Sequence, residues 1–125
     1  MFKKIAFTLY PVKDPQRARA FYTETLGLTL GSHSANGVWT EFDLPGGGCL
    51  ALFATGDIQP SAEAGGSVAL EVEDLDGLIE QLKAKGVAFR GEMIHSPVCR
   101  MSIILDSEGN SLLLHQLKPK SGEQS

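Results

Sequence analysis

Three stretches carry side chains that could do chemistry. In Pro97–Met101 (PVCRM), Cys99 precedes Arg100, and His95 lies nearby in sequence. A guanidinium close to a thiol lowers its pKa, so a nucleophile is one reading, and a small buried cysteine is the simpler one. In Val38–Asp43 (VWTEFD), strict alternation puts Trp39 and Glu41 on one face of a strand. Trp39, the sole tryptophan, is either a wall on which a ligand stacks or a packing residue of the sheet. The run Pro45-Gly46-Gly47-Gly48 has the glycine content of a phosphate cradle. No Lys-Ser/Thr follows it and no helix opens after it, so a hairpin loop is expected. His33, in a polar loop, is expected in solvent.

These side chains need a frame, and the frame is a unit that occurs twice. Ile5–Leu28 and Ser67–Val87 each read as a strand, a helix opened by Asp (Asp14, Asp74) and a stop at Gly (Gly27, Gly86). Asp14 can accept from the free N–H groups of the first helical turn, and Pro15 suits the first helical position. Ala18, Phe21, Tyr22, Thr25 and Leu26 then fall on one helical face. In the second copy Leu75, Leu78, Ile79 and Leu82 do the same, with Lys83 and Lys85 in the last turn, where positive charge suits the helix dipole. Strand patterns follow each helix: Leu28–Ser34, Val38–Asp43 and Cys49–Ala54 after the first; Val87–His95, Arg100–Leu105 and Ser111–Gln116 after the second. Lys3–Val12 supplies the opening strand, with Tyr10 on the parity that faces the helix. Asp106-Ser107-Glu108-Gly109-Asn110 is a strong turn sequence and makes the last two strands a hairpin.

The chain thus reads βαβββ, linker, βαβββ. Module one covers about residues 3–54 and module two about 67–117, joined by the turn-rich linker 55–66 and followed by a tail, 118–125, expected to be disordered. A length of 125 residues points to a single domain, and the element order makes it α+β. A formal net charge of −4 argues against nucleic acid and anionic membrane as partners. No apolar run reaches membrane-spanning length, and Met1–Lys4 lacks the apolar segment of a secretory signal. Cys49 and Cys99 are too few for a disulfide framework and lack CxxC spacing, so a reduced, cytoplasmic protein is expected.

The phrases VKDPQRARAFYTETLGL, VEDLDGLIEQLKAKGV and DSEGNSLLLHQ resemble the vicinal oxygen chelate superfamily: glyoxalase I, bleomycin-resistance proteins, fosfomycin-resistance proteins and extradiol dioxygenases. The resemblance covers nearly the whole chain. It implies paired βαβββ modules whose curled mixed sheets enclose a cavity, usually in a homodimer. It also implies metal-ligand positions early in each first strand and in the last strand of one or both modules. Those positions fall on Phe7, Ser67 and Leu113, with a fourth inside Cys49–Phe53. Phe and Leu have no donor atom, a lone Ser hydroxyl is a poor ligand for Zn²⁺ or Fe²⁺, and the fourth stretch has no carboxylate. The expectation is therefore no metal and no other cofactor.

Strand parity then sets Glu71 with Ser67, and His115 with Leu113. As the resemblance orients these strands, Glu71 and His115 both look into the cavity. They could bind metal weakly, act as a base and its partner, or hold a ligand by polar contact. Phe7, Leu9, Cys99, Met101, Ile103 and Leu113 are expected as cavity lining, with Trp39 possible. Glu41, Ser67, Glu71 and His115 are expected as polar anchors. The favoured function is metal-independent binding of a small organic molecule, similar to bleomycin-resistance proteins. The alternative is an enzyme of the glyoxalase or dioxygenase kind, with a displaced metal or with Glu71 and His115 as candidate catalytic residues.

Overall fold

The computed structural model describes residues 1, 5–54, 56, 58–64 and 66–118. Phe2, with Lys3 and Lys4 of the expected first strand, Thr55, Asp57 and Gly65 of the linker, and the tail beyond Lys118 lie outside the described residues. Among the described residues, eight strands and two helices follow in order: β1 (Thr8–Pro11), α1 (Pro15–Ala20) continued by a π-turn (Phe21–Thr25), β2 (Leu30–His33), β3 (Trp39–Asp43) and β4 (Cys49–Phe53). Then come β5 (Val68–Glu71), α2 (Leu75–Ala84), β6 (Phe89–His95), β7 (Cys99–Leu105) and β8 (Ser111–Leu117). Among the described residues no helix is long and apolar enough to cross a membrane.

The two four-stranded sheets repeat one topology. Their orders are β1-β4-β3-β2 and β5-β8-β7-β6, with the first pair parallel and the others antiparallel. The chain divides into two compact units. Of the described residues, unit one holds those within Met1–Ala62 and the turn Asp106–Asn110; unit two holds those within Glu63–Leu105 and Ser111–Lys118.

In unit one, Tyr10, Phe42, Leu50 and Leu52 alternate onto the face covered by α1, where Ala18 and Tyr22 are fully buried. Tyr22 stacks on Phe42 with ring centroids 5.5 Å apart. Burying each large apolar side chain contributes roughly 1.5–3 kcal/mol, so this layer is the unit's main source of stability. In unit two the equivalent layer is Leu75 and Leu82 of α2 with Ile104, Leu112 and Leu114. The Gln116 side chain joins it, accepting the Leu75 backbone N–H at 2.9 Å.

The first helix departs from the single α-helix expected over Asp14–Gly27. It opens as expected, with Asp14 Oδ1 accepting the Arg17 N–H at 3.1 Å. After Ala20 it widens, and the Leu26 N–H reaches back five residues to the Phe21 carbonyl at 3.0 Å. The second helix closes with Val87 N–H on the Leu82 carbonyl and Gly86 N–H on that of Lys83. In the first, each of those closing bonds spans one more residue: Leu28 to Tyr22, Gly27 to Thr23. The interval from Asp14 to Gly27 is one residue longer than that from Asp74 to Gly86, and the π-turn absorbs the surplus. Both helices still end on a left-handed glycine, Gly27 at φ +76° and Gly86 at φ +81°.

The last hairpin's turn is held by side chains of unit one. Asp106 Oδ2 accepts the Tyr22 hydroxyl at 2.8 Å, and its Oδ1 accepts the backbone N–H groups of Glu108 and Asn110. Burial and the Asp106 carboxylate push the Tyr22 phenol well above its ordinary pKa. Glu108 Oε1 accepts the N–H groups of Lys13 and Asp14 at 2.9 and 3.0 Å, and Oε2 pairs with Arg17 at 2.8 Å. Burial raises the Glu108 pKa, but those backbone donors, Ser107 and Arg17 outweigh it and leave the carboxyl below its usual range.

Candidate functional site

Each sheet has a face turned away from its helix, and the expected site residues lie on these two faces. On sheet one, the β3–β4 register pairs Trp39 with Phe53, Glu41 with Ala51 and Asp43 with Cys49, so all six share the open face. Leu9 joins them opposite Ala51, and Phe7, just before β1, meets Trp39 ring to ring at 5.3 Å and 90°. Phe53 also meets the indole, with ring centroids 5.3 Å apart. Trp39 is half-buried on this face and packs against both Phe7 and Phe53. Tyr10 is in the core, as its parity predicts.

The acidic side of this cluster is equally ordered. The Trp39 indole N–H donates to Glu41 Oε2 at 2.8 Å, and Glu41 Oε1 lies 3.9 Å from Cys49 Sγ. Desolvation and then the neighbouring Glu41 and Asp43 carboxylates raise the Cys49 pKa, so the thiol stays neutral. Asp43, Cys49 and Phe53 were not among the residues expected at a site. The alternation of CLALF, laid in register against VWTEFD, is the signal that finds them.

On sheet two the open face carries Ser67, Glu71, Cys99, Met101, Ile103, Leu113 and His115. The register places Glu71 opposite His115, Met101 opposite His115 and Ile103 opposite Leu113. Glu71 Oε1 and His115 Nδ1 are 2.5 Å apart, and Glu71 Oε2 accepts the Leu117 backbone N–H at 2.9 Å. The hydrogen bond to His115, and then that to Leu117, hold the Glu71 carboxyl below its ordinary pKa. Ser67 is committed elsewhere: its hydroxyl hydrogen-bonds that of Ser111 at 2.8 Å.

Cys99 is buried, with Sγ 3.2 Å from Ser96 Oγ. Arg100, the next residue along the strand, points to the α2 side and pairs with Asp76 at 3.1 Å. His95 lies opposite Arg100 rather than Cys99. The activated thiol considered from sequence is therefore not assembled, because consecutive strand residues face opposite ways. His33 is exposed, as expected, and borders a groove of about 450 Å³ on the α1 side with Asp14, Gln16 and Arg19. Arg19 there already donates to the Gly37 carbonyl and Thr40 hydroxyl.

The metal-ligand positions implied by the resemblance do not suit a divalent cation. Phe7 and Leu113 have no donor, and the Ser67 hydroxyl is engaged by Ser111. Among the described residues no three of His, Cys, Asp and Glu come close enough to hold a metal ion.

Comparison with known proteins places this geometry. The uncharacterized protein YetH of Bacillus subtilis (strain 168) is 28% identical over 120 residues, covering 93% of this chain and 100% of YetH. The fold matches TnmS3, an antibiotic binding protein from Streptomyces sp. CB03234, with a TM-score of 0.69 at 24% identity over 94% of this chain and 100% of that one. It also matches lactoylglutathione lyase from Agrobacterium tumefaciens, with a TM-score of 0.71 at 20% identity over 92% and 94% of the two chains. The family model for the glyoxalase/bleomycin resistance protein/dioxygenase superfamily matches residues 4–114. With paired βαβββ modules and that match across most of its length, the chain belongs to the glyoxalase/bleomycin resistance protein/dioxygenase superfamily.

Proposed function

We propose that this protein binds a small organic molecule on an open sheet face, without a metal. The observation that carries the reading is the cluster of Phe7, Trp39 and Phe53 around an indole already hydrogen-bonded to Glu41. Aromatic walls with a few fixed polar groups are the ordinary make-up of a small-molecule site. The donor chemistry of Phe7, Ser67 and Leu113 supports binding without metal. A role like that in the name of TnmS3 fits this reading. The proposal extends to a cytoplasmic homodimer, a state that light scattering on the purified protein would check.

The Glu71–His115 contact favours a second reading, an acid–base enzyme of the glyoxalase or dioxygenase kind. Metal content and ligand response separate the two. Purified without chelators, the protein is expected to carry no stoichiometric Zn, Fe, Ni or Mn. Stoichiometric metal that disappears in His115→Ala would overturn the first reading. A screen of small aromatic and heterocyclic compounds is expected to change Trp39 fluorescence; tight binding with a silent Trp39 would remove that cluster from the site.

A further inference from the structure

We propose that Glu71 fixes the tautomer of His115 so that its Nε2 accepts the proton of an acidic hydroxyl, making the ligand a phenol or enol. The inference rests on the small-molecule reading above and names a chemical class for it.

Both oxygens of Glu71 are occupied, Oε1 by His115 Nδ1 at 2.5 Å and Oε2 by the Leu117 N–H at 2.9 Å. Two anchors fix the carboxylate, and strand pairing of Glu71 with His115 fixes where the imidazole meets it. An ionised carboxylate can only accept hydrogen bonds. Nδ1 must therefore carry the hydrogen, and in the neutral ring Nε2 is left with a lone pair. The hydrogen bonds that depress the Glu71 pKa keep that carboxylate ionised at neutral pH.

The surroundings select the kind of donor. Met101 lies opposite His115, and Ile103 and Leu113 lie beside it on the same face. Apolar neighbours favour an aromatic or enolic hydroxyl over a heavily hydrated sugar or amine. When such a hydroxyl meets Nε2, its proton moves to the ring. The O–H bond breaks, an N–H bond forms, the ligand becomes an oxyanion, and the imidazolium that results is held by Glu71 through Nδ1–H. No oxidant or further reactant is needed. His115 is the group that touches the ligand, and Glu71 is a positioning residue.

4-Nitrophenol and 4-nitroanisole are matched probes, since only the first has a proton to give and its anion is yellow. In buffer on the acid side of the phenol's own pKa, bound 4-nitrophenol is expected to show the phenolate band and to bind about tenfold tighter than the ether. His115→Phe should abolish both the band and the preference. Nitrogen-15 NMR of the unliganded wild type should show Nδ1–H with a bare Nε2, and Glu71→Ala should return the ring to a mixture of tautomers. A wild-type ring protonated at Nε2 overturns the inference without reference to any variant's folding. Equal affinity for the two probes, or binding of neither, also overturns it. The small-molecule reading is judged separately, by the Trp39 screen.

Discussion

Glu71 and His115 sit 44 residues apart in the chain and 2.5 Å apart on adjacent parallel strands. The carboxylate titrates below its ordinary value of 4.5 because His115, and then the Leu117 N–H, hydrogen-bond its charged form. A depressed folded pKa gives stability that is complete above the unfolded value and lost as pH falls through the folded one. His115→Ala should move the Glu71 midpoint part of the way back up, the Leu117 bond retaining the remainder. Side-chain carbon-13 NMR titration reads this directly, and an unmoved midpoint would show that the imidazole is not the main cause.

Glu108 should matter more for folding than its place in a turn implies. Its buried carboxylate takes the backbone N–H groups of Lys13 and Asp14 and pairs with Arg17. Glu108→Gln should cost about 1–3 kcal/mol in urea unfolding at neutral pH. The folded pKa is depressed, so the wild-type advantage should be complete above about pH 4.5 and shrink as pH falls through the folded midpoint. Parallel curves for the two proteins across that window would contradict this.

Gly27 and Gly86 offer a paired test of the two helix ends. Both have positive φ, and a Cβ at either would meet nothing within 4 Å. The only penalty for alanine is the left-handed backbone itself, about 1 kcal/mol at each position. Thermal or urea denaturation of Gly27→Ala and Gly86→Ala should give equal losses despite the π-turn before Gly27. A much larger loss at Gly27 would mean that the widened turn needs further freedom.

Cys49 should react slowly. Desolvation, then Glu41 and Asp43, raise its pKa and keep the thiolate scarce near neutral pH. Iodoacetamide at mildly alkaline pH should label Cys49 several-fold more slowly than a free cysteine peptide. The double variant Glu41→Gln with Asp43→Asn should speed labelling; no change would assign the slow rate to burial alone.

The sequence made the repeated module legible because its signals are local. Asp14, Asp74, Gly27 and Gly86 each announce a helix end through the chemistry of neighbouring backbone groups. Alternation tied Glu71 to Ser67 and His115 to Leu113, and the resemblance supplied the common face that joins the two pairs. The π-turn was not read, although the one-residue mismatch between the two helices was its trace; periodicity alone continues smoothly through Phe21–Thr25. Glu108 carried no local sign, since the N–H groups it satisfies lie more than ninety residues upstream. Asp43 and Phe53 escaped because their place depends on register between strands, which a single strand's pattern does not set.

The turn Asp106–Asn110 belongs to the same compact unit as the first sheet and holds Tyr22, Lys13, Asp14 and Arg17. That arrangement has a consequence for how the protein is made. During synthesis, residues 1–62 leave the ribosome well before this turn exists. Until it arrives, the Tyr22 hydroxyl lacks its Asp106 acceptor, and the N–H groups of Lys13 and Asp14 lack Glu108. Residues 1–62 therefore cannot complete these bonds as they emerge, and the later Asp106–Asn110 turn locks the Pro15–Ala20 helix once it arrives.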